Sequence, residues 1–312
     1  MSETGTGTAE PSAIPVCFRH TDRETYVRCV RCDRPICPDC MRSASVGHQC
    51  PECVRAGNRS VRGAQTVFGG DPAGERGQVT RALIALNVVM WVATLLGAVL
   101  SGRFAPDQLT ALIAYGGNSP VTDWGATITV ALSPSGQPFG IATGEFYRLL
   151  TADFLHYGLL HLGLNMYALW LLGRECERLL GRWRFLALYL LAGIGGSVAV
   201  YCLGYPAAAS AGASSSIFGL MGALFFFFRR MNADVRGLVG LLVLNLVITF
   251  VVPHISILGH IGGLVTGAAI GAILAYAPRN SARVPLQIGG LVLVGLVLAG
   301  LVAVRTAQLG FL

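Results

Sequence analysis

The sequence predicts an all-α membrane protein in which a bundle of transmembrane helices follows a small cytoplasmic metal-binding module, and three observations carry that prediction. Hydrophobic residues make up 53% of the 312 and charged residues only 12%, where about a quarter would be charged in an ordinary soluble domain; the mean hydropathy is +0.60. Apolar runs able as helices to cross a hydrocarbon core of about 30 Å lie near 81–101, 154–173, 184–204, 214–229, 237–252, 257–277 and 286–304, the fourth and fifth being short. Seven of the nine cysteines fall between 17 and 53.

The chain is expected to divide into a disordered tip (1–15), a zinc-finger module (16–54), a Gly/Arg-rich linker (55–79), a six-helix core (80–277) and an additional C-terminal transmembrane helix (278–312). No apolar stretch with a small-residue cleavage pattern occurs in the first eighty residues, so a secretory signal is not expected and the N-terminus is read as cytoplasmic. Arginine placement agrees: Arg55, Arg59, Arg62 and Arg76 precede the first span, Arg174, Arg178 and Arg182 follow the second, Arg229, Arg230 and Arg236 follow the fourth, and Arg279 and Arg283 follow the sixth. Seven spans then leave the C-terminus extracytoplasmic. The same distribution accounts for the net charge of +7, so nucleic acid is not expected as a partner.

Within the module, Cys17-x-x-His20, Cys29-x-x-Cys32, Cys37-x-x-Cys40 and Cys50-x-x-Cys53 form four pairs with two-residue gaps. A tight turn of that length lets two side chains converge on one ion, and thiolate with imidazole suits zinc. Two structural zinc ions are expected, since a module this short has too little core to fold unaided and the cytoplasm disfavours disulfides. With every ligand position filled by protein, the module is expected to recruit a cytoplasmic protein partner rather than to do chemistry. His48 is read as a spare, and Cys176 and Cys202 as inert thiols.

The bundle carries four polar groups of note. Ser214 opens the fourth run, His161 and Asn165 share a face of the second at a spacing of four, and His260 opens the sixth. Each taken singly is commonly just a hydrogen bond to a neighbouring helix. Counting from the cytoplasmic arginines at 1.5 Å per residue puts Ser214 about 22 Å and His161 about 20 Å from that end, with His260 about one turn higher. Three helices thereby bring polar groups to one layer. Small residues at spacing four, Gly259, Gly263, Gly267 and Gly271 on the sixth span and Ser215, Gly219 and Ala223 on the fourth, predict close approach of these two helices. Phe218, one turn from Ser214, is placed to pack on the imidazole.

These residues resemble the motifs of rhomboid intramembrane serine proteases over roughly 79–277. Gly212-Ala213-Ser214-Ser215 with Phe218 is similar to the family's Gly-x-Ser-Gly motif and its aromatic four residues later; His260-Ile261-Gly262-Gly263 is similar to its histidine motif; His156, His161 and Asn165 match its second-helix motif. Gly144 to Arg148, Gly173-Arg174-Glu175 and Gly181-Arg182 resemble further family segments. Ser215 stands where glycine is usual and Gly259 where alanine often precedes the histidine. The resemblance implies a six-helix rhomboid core and a serine endopeptidase of the lipid bilayer acting on single-span transmembrane protein substrates, with Ser214 as nucleophile and His260 as general base. It also implies an oxyanion hole from His161, Asn165 and the Ser214 backbone N–H, and supporting roles for Phe218, Gly212 and His156. No acid lies near His260 in sequence, so a dyad is expected. The module, outside that resemblance, is similar to B-box-type fingers, which implies interleaved sites: Cys17 and His20 with Cys37 and Cys40, Cys29 and Cys32 with Cys50 and Cys53. Two other classes remain open: a catalytically weak protein that binds membrane helices without cleaving them, for which Ser215 speaks, and a transporter or channel, which the lack of Asp, Glu or Lys inside the spans disfavours. Trp124 and Phe139, in the loop near 102–145, are candidates for interfacial anchoring, and the connection around Pro253-His254 for gating.

Overall fold

A computed structural model of the chain describes residues 14–60, 65–104, 106–251 and 255–311. All but two residues of the expected disordered tip, and the Pro253-His254 connection, lie outside the described residues. The chain separates into two compact units, residues 1–64 and 65–312. The stretch expected as a linker is divided between them. Residues 55–60 belong to a helix of the first unit, and Phe68 is buried in the second against Phe227, ring centroids 4.7 Å apart.

The first unit has a short antiparallel pair, β1 (Arg42–Ser43) and β2 (His48–Gln49), followed by α1 (Pro51–Ser60). Its buried core consists of Ile36 and five cysteines, Cys17, Cys29, Cys37, Cys40 and Cys50. So little hydrocarbon cannot offset the entropy of ordering the backbone, which leaves the cysteine chemistry to hold the unit together.

The second unit begins its bundle with α2 (Gln78–Leu100). The long loop after it contains α3 (Leu109–Tyr115), α4 (Pro120–Gly125), the hairpin β3 (Ala131–Leu132) with β4 (Pro138–Phe139), and α5 (Arg148–Thr151). Buried Arg148 pins this loop: it pairs with Glu145 at 2.6 Å and donates to the carbonyls of Asp123 and Ala126 at 2.7 and 3.0 Å. Trp124 is exposed and stacks on Tyr147, and Phe139 lies beneath the Arg148 guanidinium.

α6 (Leu159–Ala168) continues through a π-helical turn (Leu169–Gly173) into α7 (Arg174–Leu180). This helix begins five residues later than the apolar run suggests. Ala152–Phe154 form a 3-10 turn, and Gly158, at φ +73°, starts the helix from a conformation that only glycine takes freely. His156 therefore precedes the helix. At the other end the polar residues of α7 continue the helix beyond the apolar run. Buried Glu177 reaches across to cap α2, accepting from the backbone N–H groups of Val79 and Thr80 at 3.0 and 2.9 Å and from the Thr80 hydroxyl at 2.8 Å. Those are donors that a helix start leaves unsatisfied.

The remaining helices are α8 (Arg182–Leu203), α9 (Ser214–Arg230), α10 (Arg236–Val251), α11 (Ile257–Tyr276) and α12 (Arg283–Gln308). Among the described residues, four helices (α2, α8, α11 and α12) are long and apolar enough by length and composition to cross a membrane, and α10 is a shorter apolar helix. α12 packs on α8 and is tied at both ends. Gln287 accepts from Arg184 at 2.8 Å and donates to the carbonyls of Phe68 and Leu274, while the hydroxyls of Thr306 and Tyr201 meet at 2.7 Å.

At the centre, α9 and α11 touch backbone to backbone. A Cβ on Gly263 would fall 2.1 Å from the Ser215 carbonyl oxygen, one on Gly267 2.1 Å from the Gly219 oxygen, and one on Gly271 2.5 Å from Ala223 Cα. The two small-residue stripes face each other in register. α8 closes the triangle, with Gly195 against Thr266 and Gly196 against Ser215. Substituting Gly267→Val should overpack this seam at a cost of about 1–3 kcal/mol, read as a lower thermal midpoint in detergent; an unchanged midpoint would show that the helices can separate freely there.

Candidate active site

Three consecutive serines open α9, and each has a different partner. Ser214 Oγ, half-buried, lies 2.7 Å from His260 Nε2. Ser215 is directed instead into the junction with α8 and α11, where Gly196 and Gly259 leave room for its Cβ and Oγ. Ser216 points inward and is fully buried, donating to Asp153 Oδ2 at 2.6 Å with the Tyr189 carbonyl at 2.7 Å. Gly193 leaves the space this pair fills, since a Cβ there would come 2.6 Å from Ser216 Oγ.

The His260 ring is held on two further sides. Phe218 stacks on it with centroids 4.2 Å apart and planes 19° from parallel. Its Nδ1 lies 2.7 Å from the hydroxyl of Thr249, on α10. The histidine is fixed at the start of α11, whose N-cap Ser256 accepts from Gly259 N–H.

Beside the serine, Gly212 adopts φ +142° and a Cβ there would lie 2.8 Å from His161 Nε2, so this position requires glycine on both counts. The Tyr157 N–H donates to His161 Nδ1 at 3.4 Å. That leaves the hydrogen of the neutral ring on Nε2, the nitrogen next to Gly212. Asn165, buried on the same face of α6, gives one amide hydrogen to the His161 carbonyl at 2.9 Å and keeps the other. The N–H groups of the first turn of α9 have no partner inside their own helix. His156 is buried, accepts from Ala213 N–H at 3.4 Å and lies 5.0 Å from the His161 ring.

Residues 143–277 match the Rhomboid domain family. Bacillus subtilis YdcA, a relative of that family, is 32% identical over 149 residues, 46% of this chain and 72% of YdcA. The chain belongs to the rhomboid family. Other rhomboid relatives include "Rhomboid protease GluP" of Bacillus subtilis, 43% identical over 143 residues (43% of this chain, 27% of the relative), and "RHOMBOID-like protein 5" of Arabidopsis thaliana, 34% identical over 148 residues (45% and 47%). The chain thus spans under half the length of these last two. As a rhomboid with several membrane-length helices, it is a multi-pass membrane protein.

The cysteine-rich unit of this rhomboid lies outside the matched residues. There Cys17, His20, Cys37 and Cys40 form one cluster and Cys29, Cys32, Cys50 and Cys53 a second, each with its ligand atoms within 4.8 Å of one another. His20 Nδ1 is 3.9, 3.2 and 3.5 Å from the sulfurs of Cys17, Cys37 and Cys40, and the sulfurs of Cys32 and Cys50 are 3.8 Å apart. Ligands about 2.0–2.3 Å from a central tetrahedral ion are about 3.5–3.8 Å from each other, so both donor sets fit a metal. Burial pushes the Cys17 thiol up, but backbone N–H groups of Arg19, Cys37 and His20 outweigh it and hold the thiol down at about 6; Cys29 is held at about 6 in the same way through Cys50, Arg31 and Cys32. A thiolate is the form that binds metal. His48 is in neither cluster.

Thr249 and Asp153 are the polar groups that sequence reading misses. Thr249 is signalled only by being, with Asn245, a hydrogen-bonding side chain in an otherwise apolar run; Asp153 lies one residue ahead of its run. Ser216→Ala should leave the Asp153 carboxyl without its hydroxyl and cost about 1–3 kcal/mol, visible as reduced thermal stability, whereas Ser215→Gly, which removes no side-chain hydrogen bond among the described residues, should cost less in the same assay, about 0.5–1 kcal/mol for a glycine within a helix.

Proposed function

We propose that the chain is an intramembrane serine endopeptidase that cleaves transmembrane segments of single-span membrane proteins. The 2.7 Å contact between Ser214 Oγ and His260 Nε2 carries this reading, and membership of a family that includes "Rhomboid-type serine protease 2" of Emericella nidulans supports it. Ser214 attacks the peptide carbonyl while His260 takes its proton and later returns it to the leaving amine. Water then hydrolyses the acyl-enzyme. The developing oxyanion is met by His161 Nε2–H, the free Asn165 amide hydrogen and the Ser214 backbone N–H at the start of α9, where the helix dipole also favours an anion. Gly212 gives the His161 ring its room, and His156 supports the turn that carries Ala213.

A substrate helix hides its peptide bonds in its own hydrogen bonds, so it must unwind before it is cut. Segments with small or helix-destabilising residues near the outer face are therefore the preferred substrates. The placement of arginines supports an orientation with the N-terminus in the cytoplasm and the C-terminus outside. The direction of Ser215 into the junction of α8 and α11 favours catalysis over mere helix binding, because its side chain does not stand between Ser214 and the imidazole.

The two clusters of the N-terminal unit are proposed to hold zinc: Cys17, His20, Cys37 and Cys40 one ion, Cys29, Cys32, Cys50 and Cys53 the other. With four protein ligands each, the ions supply folding energy rather than catalysis, and the unit docks a cytoplasmic protein.

A fluorophosphonate probe should label the purified protein, with labelling lost in Ser214→Ala and His260→Ala but retained in Ser215→Ala; equal labelling of Ser214→Ala would reject the nucleophile. Metal analysis should return about two zinc equivalents per chain, falling to about one in Cys50→Ser. A value of zero in the wild type would refute the zinc sites.

A further inference from the structure

We propose that Thr249 on α10 is the positioning residue of the catalytic base, holding His260 in the one tautomer that can accept the serine proton. This rests on the reading of Ser214 and His260 as nucleophile and base. A hydroxyl carries a single hydrogen, and that of Thr249 is given to the Asn245 carbonyl of its own helix at 2.7 Å. Towards His260 Nδ1, also at 2.7 Å, the oxygen therefore accepts. It can accept only if Nδ1 bears hydrogen, and a neutral imidazole protonated there presents a bare lone pair at Nε2. That lone pair faces Ser214 Oγ. The stacked ring of Phe218 sets the plane of the imidazole, and Thr249 sets its rotation in that plane and its proton. Once Nε2 takes up the serine proton, the same hydroxyl oxygen keeps its bond to Nδ1–H and stabilises the imidazolium.

The rest of α10 supports an assigned task for this side chain. Leu238 and Thr249 are its only buried positions. Thr249 is 2% exposed and His260 7%. Among the described residues, Nδ1 of His260 has no other hydrogen-bond partner. A threonine that merely satisfied its own helix would need only the Asn245 bond.

The test uses full-length protein in detergent, with the fluorophosphonate probe and with histidine labelled by nitrogen-15. Thr249→Val should lower the maximal labelling rate about five- to tenfold, the rate equivalent of one neutral hydrogen bond, with the half-saturating probe concentration unchanged, and Thr249→Ser should restore it. The nitrogen spectra should show His260 protonated on Nδ1 in the wild type and in Thr249→Ser, and mixed tautomers in Thr249→Val; Thr249→Ala makes the same deletion should the valine variant not fold. Wild-type rate and tautomer in the valine or alanine variant would overturn the proposal, as would failure of Thr249→Ser to recover either. Should the wild type not label at all, the protease reading fails, and the spectra still decide whether Thr249 sets the ring.

Discussion

A serine and a histidine on separate helices reach hydrogen-bond contact only where little more than backbone lies between the helices, and the contact of α9 with α11 meets that condition. Inside a bilayer no hydrophobic force drives helices together, so close packing and interhelical hydrogen bonds must do so. Gly263, Gly267 and Gly271 lie against Ser215, Gly219 and Ala223, and the absence of side chains on α11 at that seam sets the interhelical distance. Two departures from the family pattern are complementary in this light. The side chain that Ser215 adds occupies the space that Gly196 and Gly259 leave, and a Cβ on Gly259 would come 3.0 Å from Ser215 Oγ. The extra hydroxyl is absorbed between helices instead of protruding into the cleft.

What the sequence makes legible and what it hides follow from the same physics. Composition and apolar runs reveal the membrane helices because the solvent is uniform: each segment must be apolar along its length. Repeats of four reveal which faces meet, as in the pairing of Gly267 with Gly219. Local backbone is less visible. The start of α6 at Leu159 depends on Gly158, and its passage into α7 depends on residues that hydropathy counts as outside the membrane. Bonds between distant single residues leave almost no trace. Neither Thr249 with His260 nor Asp153 with Ser216 belongs to a periodic pattern, and each threads two elements whose relative rotation is fixed only by the packed fold.

The two units are stabilised by opposite means. In the bundle, apolar side chains such as Leu169, Leu188, Leu220 and Phe227 are fully enclosed, and buried polar groups such as Glu177 and Gln287 tie one helix to another through small hydrogen-bonded sets. In the N-terminal unit the hydrophobic core is Ile36 and five cysteines of the two donor clusters, and backbone N–H groups point at the sulfurs of Cys17 and Cys29. A metal held by the two donor sets would tie the second arrangement together, whereas hydrocarbon contact closes the first.

The site divides between a rigid half and a lightly held half. Ser214 stands at the head of α9, which packs closely on glycines of α8 and α11; the next side chain, Ser215, fits against Gly196 and Gly259, and Ser216 is bonded to Asp153. The proton on the histidine is governed from α10, most of whose residues face outward. A small displacement of α10 would release Nδ1 and free the imidazole to change tautomer while leaving the serine where it is. Seating of α10 and orientation of the imidazole are thus joined in one hydroxyl, because the bond from Thr249 to Nδ1 exists only while that helix lies against His260.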